Sequence, residues 1–126
     1  MKNVFLLAFL LTAACSASAK STICKVDDEV FITALAFNDD RSASYTDPSG
    51  KKHEGRVTAR RPHFGGEKTN ILFMLEEPRF GADAMEFVLF PAGAEYRVIG
   101  VGYKRLDGKL TLDIFAGNNK ASCAAL

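Results

Sequence analysis

The groups in this 126-residue chain that could do chemistry are two imidazoles, His53 and His63, three cysteines, and a run of cations between Lys51 and Lys68. A zinc site needs three or four well-placed ligands, and the sequence has neither H-E-x-x-H nor paired C-x-x-C spacing. His53 adjoins a turn at Gly50 and His63 follows Pro62 beside Gly65-Gly66, so both read as surface residues. No serine lies in G-x-S-x-G or S-x-x-K, and no Gly-rich phosphate loop occurs. The acidic clusters Asp27-Asp28-Glu29 and Asn38-Asp39-Asp40 lack the spaced Asp, Gly and Glu of a calcium loop, and read as polar strand ends. The expectation is a chain without catalytic residues, metal or cofactor.

The cationic run, KKHEGRVTARRPHFGGEK, is the remaining candidate. In a strand over residues 52–60, Lys52, Glu54, Arg56, Thr58 and Arg60 share one face, opposite Val57 and Ala59. That alternation predicts a solvated wall, which also discourages edge-to-edge pairing. Rigid β-scaffolds carry recognition on their loops, which places the contact region over residues 59–70. Arg60, Arg61, His63, Phe64 and Lys68 are the candidate binding residues. The formal net charge is only +1, so nucleic acid is not the expected partner.

What must position these residues begins with an address. Lys2 precedes an apolar run from Val4 to Leu11 that is too short to span a bilayer. Ala17-Ser18-Ala19 then supplies the small residues of a secretory cleavage site, so residues 1–19 read as a helical signal peptide and residues 20–126 as one mature domain. A rival cut exists at Thr12-Ala13-Ala14-Cys15, similar to a bacterial lipoprotein box except that Thr12 stands where an aliphatic residue is usual. Lipidation of Cys15 would tether the domain to a membrane without spanning it. The expected location is the periplasm or the medium, or the envelope surface if Cys15 carries a lipid.

Once Cys15 is assigned to the presequence or to a lipid, Cys24 and Cys123 remain near the two ends of the mature chain. In an oxidising compartment the simplest pairing joins them. The loop they close would contribute about 4 to 5 kcal/mol in the chain-entropy model.

Short β-branched and aromatic runs alternate with turn signals along the mature chain, and no long stretch has helical period, which predicts an all-β domain. Asp47-Pro48-Ser49-Gly50 suits a type I turn between strands over 41–46 and 52–60. Asp107-Gly108 suits a type I′ hairpin between 96–103 and 109–115. In the last of these, Leu110, Leu112 and Ile114 are expected to face the core, and Lys109, Thr111 and Asp113 the solvent. Residues 29–37 and 71–75, apolar on both faces, read as central strands, and 85–90 continues the core. Weaker strands over 21–26 and 120–125 carry the cysteines, and Gly81 argues against a short helix over 78–84. About eight strands with tight connections make an antiparallel meander. A closed or nearly closed barrel would remove exposed edges, with a two-sheet sandwich as the alternative.

The segments AGAEY (Ala92 to Tyr96) and FAGNNKASC (Phe115 to Cys123) resemble the closing motifs of the membrane-bound lysozyme inhibitor family. That resemblance implies a small exported β-barrel with a terminal disulfide. The family's inhibitory Ser and Lys fall at Ala92 and Ala116 of this sequence, so the resemblance does not carry the inhibitory groups with it. The reading that follows is a non-catalytic binding module of the cell envelope, contacting a protein or glycan. An inhibitor of an extracellular hydrolase, a small hydrolase with an unrecognised cleft, and a structural lipoprotein are the alternatives.

Overall fold

A computed structural model describes residues 20–28 and 30–125, and the proposed signal peptide and Cys15 lie outside them. Eight antiparallel strands follow one another round a closed barrel: β1 (Ser21–Val26), β2 (Ala34–Asn38), β3 (Ser42–Thr46), β4 (Lys52–His63), β5 (Gly66–Arg79), β6 (Ala82–Ala92), β7 (Glu95–Leu106) and β8 (Lys109–Ala125). The meander is therefore a barrel and not a sandwich. β8 returns to β1, where Cys24 faces Cys123 in register and the two form a disulfide across a separation of 99 residues. Backbone pairing and sulfur thus close the same seam.

Alternation sends every second side chain inward. Tyr45, Phe73 and Phe87 meet edge to face at the centre, with ring centroids 4.7 to 5.8 Å apart, and Leu35, Val57 and Ile71 pack among the buried residues around them. The interior is a filled core, and the larger cavities among the described residues open at its two ends. Gly55 makes that filling possible: a Cβ there would overlap the Phe73 ring and come within 2.5 Å of the Leu72 carbonyl oxygen.

Two turns form as the sequence predicts. The Gly50 amide donates to the Asp47 carbonyl at 2.9 Å, and Asp107 and Gly108 both take positive φ, 52° and 76°, as a type I′ turn requires. Elsewhere the strands differ from expectation. The Asp28 carboxylate accepts the amides of Val30 and Phe31, which holds the chain in a local turn and delays β2 to Ala34, although a strand was expected from residue 29. The segments expected over 109–115 and 120–125 are one strand, β8, carried past a register shift at Gly117, whose φ is +87°.

Two bulges have larger effects. Thr58 is an extra residue in β4, between the pairs Val57–Ile71 and Ala59–Asn70, and it inverts the facing of everything beyond it. Asp113 is an extra residue in β8, between Gly102–Ile114 and Tyr103–Leu112, and does the same for the start of that strand. Ile114 packs against the core, but Leu110 and Leu112 are exposed, contrary to the expectation from alternation. Residues 78–84 form no helix; β5 and β6 meet there in a turn at Phe80-Gly81.

Candidate functional site

One end of the barrel collects the turns at residues 39–41, 64–65 and 93–94 together with the first residue of β1 and the last of β8. The five sequence-predicted binding residues all lie here, on a continuous β4–β5 hairpin and not on the loop expected over 59–70. The turn is only Phe64 and Gly65, and the hairpin folds against Pro91 and the Tyr96 hydroxyl, which come within 4 Å of a Cβ built on Gly65 or Gly66.

The bulge at Thr58 separates the five. Arg60, placed on the outer wall by alternation, instead pairs with the buried Thr69 and lines the barrel mouth. Its Nε donates to Glu67 Oε1 at 2.6 Å, a second guanidinium nitrogen lies 3.8 Å from Asp39, and its carbon sits 5.7 Å over the Phe37 ring. Arg60 is therefore an internally satisfied lip to a cup of about 600 Å³, whose walls include Phe37, Leu89 and Tyr96.

Arg61 and Lys68 remain exposed and face each other directly across the hairpin. Like charges in that arrangement repel, and among the described residues neither has an acidic partner within ion-pair distance. His63 is also exposed, with its ring 6.2 Å from that of Phe90 in edge contact. Phe64, at the tip, is 98% exposed. An aromatic side chain fully exposed at the tip, two residue pairs beyond a pair of cations that have no acidic partner among the described residues, is an arrangement the fold itself does not need.

The opposite end carries a polar cluster that sequence reasoning missed. Asp47, only 5% exposed, accepts from the Ser49 amide and hydroxyl at 2.9 and 2.5 Å, from the Lys51 amide at 3.1 Å and from His53 Nε2 at 2.8 Å. Burial alone would raise its carboxyl, but these hydrogen bonds outweigh that and hold it well below the usual carboxylate range. An ionised carboxylate can only accept, so His53 Nε2 carries the proton of that bond. His53 is half-buried, contrary to the surface position expected, and stacks on Tyr45, its cross-strand neighbour, at 4.5 Å. Arg79 donates to the Tyr45 hydroxyl at 3.3 Å and lies 3.7 Å from Asp47. Burial, partly offset by Arg79, pushes the Tyr45 hydroxyl up. The sequence carries the signal: His53 has the parity of Val57, which alternation sets opposite the solvated face of residues 52–60.

A groove of about 390 Å³ runs along this cluster. Asp47 and His53 line it, and with Ser49 they do not make a hydrolytic triad, because the Ser49 hydroxyl donates to the carboxylate and not to the imidazole. Among the described residues no group of three His, Cys, Asp or Glu side chains could hold a metal, and no helix is long and apolar enough to cross a membrane.

No family model, curated protein or solved structure matches the chain significantly. The two segments that resemble lysozyme inhibitor motifs do lie side by side in the barrel, with Tyr96 paired to Ala121.

Proposed function

We propose that the protein is an exported, non-catalytic binding module that grips an anionic protein or glycan of the cell envelope through the tip of the β4–β5 hairpin. Export rests on the sequence of residues 1–19, and the Cys24–Cys123 disulfide is consistent with an oxidising compartment. The observation that carries the reading is Phe64, 98% exposed between the strands that present Arg61 and Lys68 to each other. An exposed aromatic side chain with cations on the same hairpin suits an interface, where buried aromatic and arginine anchors carry most of the binding energy. An acidic partner would relieve the Arg61–Lys68 repulsion while covering the ring.

The filled barrel favours this over an enzyme, since the Asp47–His53 pair, the one such pair among the described residues, lacks an aligned nucleophile. Capture from envelope extract tests the reading. Phe64→Ala and the Arg61→Ala/Lys68→Ala double variant should each lose the partner retained by the wild type. Arg60→Ala, whose parent side chain is held by Glu67, should lose little. Protease treatment of the extract distinguishes protein from glycan. Retention of every captured component by both the Phe64 and the double variant would refute the proposal.

A further inference from the structure

The β7–β8 hairpin extends beyond the rest of the barrel. β6 leaves β7 at Tyr103, where the last pair is with Ala84, and β1 joins β8 only from Ala121 onward. Between Lys109 and Asn119, β8 is paired with β7 alone, and the other edge of its backbone is open among the described residues. The bulge at Asp113 has turned Leu110 and Leu112 outward next to that edge, and they are 37% and 64% exposed. An open edge flanked by leucines is a template for strand pairing.

The sequence of the edge selects its occupant. The two-residue turn closes on Leu106 and Lys109 as a hydrogen-bonded pair. The backbone groups of Lys109 and Thr111 therefore face β7, and those of Leu110 and Leu112 face outward. Two copies of β8 laid antiparallel about a two-fold axis at Thr111 place Lys109 opposite Asp113, Leu110 opposite Leu112, and Thr111 opposite itself. Each Leu110–Leu112 pair then exchanges hydrogen bonds through the outward-facing groups, and four leucines cover one another on one face. Both ends of the junction carry opposite charges. Moving the axis by one residue to either side, a two-residue change of register, destroys this match: centred on Leu110, Lys109 meets Thr111; centred on Leu112, Asp113 meets Thr111.

We infer that β8 is a self-complementary edge through which two copies of this chain associate as a two-fold β-arm dimer. The interface is isologous, each residue and its opposite being exchanged by the axis, and it is small, so association depends on concentration. It lies away from the Phe64 tip and does not depend on the proposed envelope partner.

Sedimentation equilibrium across a concentration series, with circular dichroism to verify folding, tests the inference. The wild type should shift from monomer to dimer as concentration rises. Lys109→Glu sets a carboxylate against Asp113 at both symmetry-related pairs and should weaken dimerisation about tenfold. The exchanged pair Lys109→Glu/Asp113→Lys should restore it. Thr111→Cys should cross-link on mild oxidation, because opposite residues of a non-hydrogen-bonded pair stand about 4.5 Å apart at Cα, within disulfide reach. Peptide mapping would identify the bond. A wild type that stays monomeric at millimolar concentration, a folded exchanged pair that does not recover, or a Thr111→Cys variant that fails to cross-link would each overturn the inference.

Discussion

Replacing Asp47 by alanine should destabilise the barrel more than any other exchange of a polar side chain at its groove end. The carboxylate accepts four hydrogen bonds, two from backbone amides of its own turn and two from Ser49 and His53. Bonds to a charged acceptor contribute about 1.5 to 3 kcal/mol each. The turn is close to solvent, however, and water will take over the Ser49 and Lys51 amides once the carboxylate is gone. The net cost is then about 2 to 3 kcal/mol, or roughly a 10 to 15 °C fall in Tm for a domain of this size. The pH dependence identifies the cause. Asp47 is held below its unfolded value of about 3.9, so its contribution is complete above that value and disappears as pH falls through the folded one. Urea unfolding of wild type and Asp47→Ala should therefore differ by a constant amount from pH 7 to about pH 5, and by progressively less toward pH 2. A difference that stays constant down to pH 2 would show that the loss is packing and not charge. A variant as stable as the wild type at pH 7 would refute the assignment of the cluster as a structural clamp.

Gly55→Ala should cost about 2 to 4 kcal/mol in a urea titration, since the new methyl has to displace the central Phe73 ring or the Leu72 carbonyl. Reduction of Cys24–Cys123 should lower stability by up to about 4 to 5 kcal/mol, the entropy of the loop it closes, read as a lower urea midpoint with a mass gain of two hydrogens.

The barrel was legible because Asp47-Pro48-Ser49-Gly50 and Asp107-Gly108 prescribe turns by their own φ preferences, and Cys24 and Cys123, near the two ends of the described residues, imply the seam. The facing of side chains was legible only as far as the first bulge. Alternation counted from Val57 puts Arg60 in solvent, and counted from Ile114 puts Leu110 and Leu112 in the core. Thr58 and Asp113 reverse both, and neither residue type announces a bulge, because the extra residue is accommodated by the neighbouring strand's register and by barrel closure. The candidate site was half legible for the same reason. Phe64, Arg61, His63 and Lys68 stand exposed within the predicted contact region, although on a β4–β5 hairpin and not on a loop, whereas Arg60 has become the lip of a cup whose walls come from β2, β6 and β7. His53 turns inward because it shares the parity of Val57, which outweighs its closeness to the turn at Gly50.

The seam between β1 and β8 has a consequence for chain connectivity. Thr22 lies opposite Ala125, so a short linker could join the two strands as a hairpin, and the ring of strands would then have no inherent first member. A circularly permuted chain opened at Asp107-Gly108 would keep every strand beside its present neighbours and would hold by peptide bond the junction now held by sulfur, allowing the same architecture to form in a reducing cytosol.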